Sequence, residues 1–121
     1  MVTTALIKEK DVKKLRNTLG LTQRAFAQIS GVSERNIIRW EAKTVNPNTQ
    51  SRIVLERIAE LCKILLDVFG TQSKILAWLN KPNESLNGRT PVKQIISAQS
   101  IEEGVKEIID LLNGFKLGIA S

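Results

Sequence analysis

Apolar residues recur along this chain at spacings of three and four, the period of a helix with one buried face, and no stretch alternates as a half-buried strand would. Val12, Leu15 and Leu19 predict a helix over 8–18, closed by Gly20. Ala25, Phe26 and Ile29 predict a second over 23–29, with Thr22 as its N-cap. Gly31 supplies a sharp turn, and Ser33 caps a third helix over 34–42, with Ile37 and Trp40 inward. After a loop stiffened by Pro47, a long helix is expected over 50–69. Its apolar residues Ile53, Val54, Leu55, Ile58, Leu61, Cys62, Leu65, Leu66 and Phe69 cover too wide an arc for one face. Such a helix is buried on two sides and serves as the spine, one side for the N-terminal bundle and the other for the C-terminal part or a second subunit.

Beyond Gly70, Thr71 caps a short helix over 72–79, with Ile75, Leu76, Trp78 and Leu79 inward. A turn-rich loop containing Pro82 and Gly88 leads to Thr90-Pro91, a strong helix start for 91–96. Ser100 and Glu103 form a capping-box pattern that opens the last helix, expected over 101–113. Gly104 inside that helix costs about 1 kcal/mol relative to Ala, so it marks close helix packing. The tail from Gly114 is read as lying past the last regular helix, and it carries Phe115, Leu117 and Ile119.

Composition then removes whole classes of chemistry. With no histidine, there is no imidazole base and no His metal ligand. The single cysteine, Cys62, can form neither an internal disulfide nor a Cys-based metal site; inside an apolar pattern it reads as a buried structural thiol. No metal site and no cofactor is expected. No apolar run approaches the roughly 20 residues of a membrane span, and the N-terminal residues lack the basic region of a signal peptide, so a cytoplasmic protein with no membrane partner is expected. Paired carboxylates such as Glu102 and Glu103 point about 100° apart on a helix, so an enzyme is disfavoured.

Charge adds direction. The net charge is +6, of which residues 1–70 contribute +5 and residues 71–121 only +1. A basic first half suggests an anionic partner, with double-stranded DNA foremost. Residues 21–41 give that suggestion a geometry: two short helices joined by a Gly-containing turn. The second begins with exposed polar residues, Ser33, Glu34, Arg35 and Asn36, with Arg39 one turn on. Arg pairs with guanine, Asn with adenine, and Glu accepts from cytosine. Thr22 and Gln23 open the preceding helix, where backbone N–H groups favour a phosphate. Lys43, in the following loop, completes the expected DNA-contacting set. An ordinary helical hairpin would bury the same apolar residues; the turn, the caps, the polar helix start and the basic half together favour DNA binding.

These residues carry a resemblance. Leu21-Thr22-Gln23, Ala27, Gly31-Val32-Ser33 and Trp40-Glu41 are similar to the core of the Xre (lambda-repressor-like) DNA-binding domains, over residues 11–66. The resemblance implies that Gln23 contacts phosphate, that Ser33, Glu34, Arg35 and Arg39 face the major groove, and that Arg16 and Glu41 form a structural ion pair. A second set, Val68-Phe69-Gly70, Ala77-Trp78-Leu79-Asn80-Lys81-Pro82-Asn83, Leu86-Asn87-Gly88-Arg89-Thr90-Pro91 and the ending Leu111-Leu112 with Gly118, resembles the Xre/MbcA/ParS toxin-binding domain over residues 66–121. Departures stand at Ala98, at Ser100 and around Asn113–Gly114.

The expected fold is all-α: a lambda-repressor-like helix-turn-helix bundle over residues 1–66, joined through a long helix to a small helical C-terminal domain over residues 67–121. The resemblance implies a type II antitoxin that neutralises a RES-type toxin by direct binding and represses its own operon. Large apolar residues in a tail pack on the core or await a partner. The resemblance implies that the C-terminal region covers a toxin's active-site cleft, so toxin contact is expected from Phe115, Lys116, Leu117, Gly118, Ile119 and Ser121. A homodimer is expected, since one short recognition helix reads few bases. The alternative is a stand-alone helix-turn-helix regulator whose C-terminal half only mediates dimerisation.

Overall fold

The computed structural model describes residues 11–116, except for the side chains of Phe115 and Lys116. Among these residues there are seven α-helices and no strand. They are α1 (Val12–Leu19), α2 (Gln23–Ser30), α3 (Glu34–Glu41), α4 (Thr49–Phe69), α5 (Gln72–Leu79), α6 (Pro91–Ser97) and α7 (Ile101–Lys116), with a 3₁₀ turn at Glu84–Leu86.

Local chemistry sets the boundaries. At six of the seven starts, all but that of α1, a side-chain oxygen accepts from a backbone N–H in the first turn: Thr22 from Ala25 (3.0 Å), Ser33 from Asn36 (3.2 Å), Asn48 from Ser51 (2.8 Å), Thr71 from Lys74 (3.3 Å), Thr90 from Lys93 (3.0 Å) and Ser100 from Glu103 (3.1 Å). The expected caps are therefore in place, and Asn48 is added to them. Gly20 and Gly31 close α1 and α2 at φ 70°, the left-handed conformation a β-carbon disfavours.

Helix α4 is the spine. It buries Val54, Leu55, Ile58, Ala59, Leu61, Cys62, Ile64 and Leu65. The N-terminal helices pack against one side of it and α7 against another, so Phe26, Ile37, Leu65, Ile75 and Ile108 belong to one continuous core. Cys62 lies within it, its Sγ 3.8 Å from the Leu15 carbonyl oxygen, and burial pushes the thiol pKa up to about 12. That is the inert structural cysteine expected.

The N-terminal and C-terminal helices interlock. The Gln72 amide donates to the Asn17 carbonyl, and Arg57 of α4 pairs with Glu102 of α7 at 3.6 Å. Behind the α2–α3 turn sits Ile101; a β-carbon on Gly31 would come within 2.9 Å of its side chain. Gly104 marks the close approach expected of it: a β-carbon there would stand 2.6 Å from the Ile95 carbonyl oxygen and 2.7 Å from its Cα. Only a bare glycine lets α7 lie against α6 at this distance.

Two expectations are corrected. Of the α5 residues expected inward, Ile75 and Leu79 are buried, but Leu76 and Trp78 are only half-buried. Trp78 lies tilted against Phe69 instead, ring centroids 5.4 Å apart. The last helix also does not stop at Asn113. It continues through Gly114 to Lys116, so Phe115 and Lys116 are helical rather than part of a tail. Gly114 is buried, and Leu112 beside it is fully so; packing there outweighs the propensity cost that made Gly114 read as a stop. Leu117, Gly118, Ile119 and Ser121 lie outside the described residues.

Candidate functional site

The α2–turn–α3 unit is built on Phe26, Ala27, Ile29, Ile37 and Trp40, each at most 4% exposed. Apolar residues on the inner faces fix the two helices, so the outer face of α3 is held rigidly outward. Of the expected DNA-contacting residues, Thr22, Ser33, Glu34, Arg35, Arg39 and Lys43 are exposed, and Gln23 and Asn36 are half-buried. All eight lie on the α2–turn–α3 unit, at the residues that cap it, or in the turn that follows it. Arg35, Arg39 and Lys43 have no ion-pair partner among the described residues. Their charge is uncompensated at short range, as an anion-binding face requires.

Behind this face, one polar cluster locks α1, α2 and α3 together. Arg16 Nε donates to Glu41 Oε2 at 2.6 Å and Nη2 donates to Oε1 at 3.1 Å, a two-pronged ion pair. Arg16 Nη1 donates to the Leu21 carbonyl oxygen at 3.1 Å. The Glu41 side chain is only 8% exposed. Burial pushes its carboxyl pKa up. The hydrogen bonds from Arg16 and Gln23, with the charges of Arg16 and Lys13, outweigh that and hold it below its ordinary 4.5. Arg16 is therefore structural, as the resemblance implied.

Gln23 holds a place the sequence did not reveal. Its amide Nε2 donates to Glu41 Oε1 at 3.0 Å, which ties the start of α2 to the end of α3. The side chain is thus fixed at the helix mouth. The backbone N–H groups of Gln23 and Arg24 have no acceptor among the described residues, so two donors and the positive end of the helix dipole face outward there.

Lys43 is unusual in its backbone. At φ 63° it occupies the left-handed region that glycine favours, just after α3. The turn is held by Lys43 N–H donating to the Trp40 carbonyl and Thr44 N–H to the Arg39 carbonyl, both at 3.1 Å.

Ile38 was not among the residues expected to contact DNA. It is 46% exposed and shares the outward face with Glu34, Arg35 and Arg39. Its angular position would have found it: on a 100° wheel it falls opposite the buried Trp40.

Comparison with known proteins agrees with this geometry. Residues 12–69 match the helix-turn-helix family profile, and residues 65–116 match the profile of the antitoxin Xre/MbcA/ParS C-terminal toxin-binding domain. The two meet within α4. Together the two matches span residues 12–116 and support an Xre/MbcA-type antitoxin: a DNA-binding helix-turn-helix followed by a toxin-binding domain. Its fold is similar to that of a chain in the crystal structure of the M. tuberculosis MbcT-MbcA toxin-antitoxin complex, with a TM-score of 0.72 at 22% identity over 93% of this chain and 96% of that one. A comparison with curated protein sequences gives no match. Among the described residues no helix is long and apolar enough to cross a membrane.

Proposed function

We propose that this antitoxin acts by binding alone, in the cytoplasm. Its C-terminal half covers a RES-type toxin, and its helix-turn-helix represses the operon that encodes the pair. The observation that carries the reading is the join itself: a rigid recognition helix and a toxin-binding domain share one core across α4 and α7. On DNA, Ser33, Glu34, Arg35, Asn36 and Arg39 meet base edges, while Thr22, Gln23 and Lys43 meet phosphate. Two copies bind half-sites one helical turn apart, because a single eight-residue helix reads too few bases for tight specific binding.

Toxin contact is assigned to Phe115, Lys116, Leu117, Gly118, Ile119 and Ser121. Phe115 and Lys116 close the matched toxin-binding domain and the other four directly follow it, and the apolar character of Phe115, Leu117 and Ile119 adds support. The test is removal of residues 117–121, which spares the buried Gly114. The truncated protein is expected to keep its melting temperature and its DNA binding and to lose toxin neutralisation. A fall in melting temperature of many degrees, with DNA binding lost too, would instead assign the tail to the protein's own core.

A further inference from the structure

We propose that Ile38 is a specificity-determining residue that reads the 5-methyl group of a thymine in the major groove. Of the five large apolar side chains exposed among the described residues, Ile38 alone lies on α3. Around the helix axis it sits about 40° from Glu34 and about 60° from Arg35, in the middle of the outward arc that ends at Arg39. The buried Trp40 lies about 160° away from it, and the buried Ile37 about 100° away, on the side opposite Arg39. Among the described residues Ile38 is no part of the core, and a polar residue at a place so exposed would serve solubility better.

The surroundings select the occupant. Ile38 lies between Glu34 on one side and Arg35 and Arg39 on the other. The two arginines have no ion-pair partner among the described residues, a setting suited to a polyanion and ill suited to an apolar protein surface, which would bury those charges unpaired. A DNA groove presents both kinds of chemistry together: phosphates at its edges and, on its floor, a single exposed apolar group, the thymine methyl. A branched aliphatic side chain has the shape and the chemistry to meet that group, while Arg35 bonds a neighbouring base. The inference rests on the DNA-binding role proposed above and adds to it one position and one base.

The experiment selects duplexes from a randomised double-stranded DNA library with the full chain. Each thymine of the selected site is then replaced, one at a time, by deoxyuridine, which removes only the methyl. At one position of each half-site the wild type should lose about four-fold in affinity, the worth of one buried methyl group. Ile38→Ala should bind the thymine and uridine duplexes alike at that position and respond like wild type elsewhere. The proposal is overturned if no uridine duplex weakens wild-type binding, or if both proteins respond equally at every position. Failure to select any duplex at low salt is a separate result; it overturns DNA binding itself and this inference with it. The uridine arm changes only the DNA, so the wild-type result does not depend on how the variant folds.

Discussion

Arg16 and Glu41, 25 positions apart, meet in a two-pronged ion pair that fastens the first helix to the recognition helix. Removing one partner leaves the other charge largely buried. Glu41→Ala is expected to destabilise the fold by about 2–4 kcal/mol. The pair also sets a pH dependence. The Glu41 carboxyl is held below its ordinary 4.5 in the folded protein, so the unfolded chain takes up its proton first as pH falls. The pair's stabilisation is complete above 4.5 and is lost as pH falls through the lower folded value. Thermal melts from neutral pH downward should show this component in wild type and not in Glu41→Gln.

Arg35→Ala and Gln23→Ala should differ in kind. Arg35 is exposed and holds nothing else in place, so its loss should cost about 1–3 kcal/mol at one base pair and leave the melting temperature unchanged. Gln23 also donates to Glu41, so its loss should weaken binding to all sequences and lower the melting temperature together. Mobility-shift titrations at fixed salt, paired with thermal melts of the same preparations, separate the two patterns.

Lys43 pairs a strained backbone with an exposed charge. Lys43→Gly should relieve about 1 kcal/mol of left-handed strain. The same change should weaken DNA binding and lower the salt-dependence slope by about one. A variant that melts higher yet binds DNA with an unchanged salt slope would remove Lys43 from the contact surface.

Gly104 reverses the usual rule for helices. Glycine to alanine inside a helix ordinarily stabilises by about 1 kcal/mol. Here the new β-carbon would stand 2.6 Å from the Ile95 carbonyl oxygen, and backbone cannot move aside as a flexible side chain can. Gly104→Ala should therefore destabilise by at least about 1–3 kcal/mol, read as a lower midpoint in denaturant.

The local elements were legible in the sequence because their signals are local. Thr22, Ser33, Thr71, Thr90 and Ser100 each announce a helix start, and Gly20 and Gly31 announce stops. Gly114 shows the limit: the same residue that ends α1 and α2 lies inside α7, because burial against the core decides between the two and burial is not a local property. At the site, the outward placement of Arg35 and Arg39 followed from helical period alone. The hydrogen bond from Gln23 to Glu41 did not, since it joins residues 18 apart whose meeting depends on how two helices cross. Ile38 was missed for a different reason: the expected base contacts were all polar residues, and an apolar one was not sought among them, although its angle places it outside.

The central claim is that this chain binds and neutralises a toxin. The most direct measurement co-expresses the tagged chain with the protein encoded by the adjacent reading frame and asks whether the two purify together. The account predicts a stable complex, formed with a neighbour that arrests growth when expressed alone. The contradicting result is a neighbour that flows through while the same preparation of the chain is helical and shifts DNA, which would make the protein a stand-alone regulator with a C-terminal dimerisation domain.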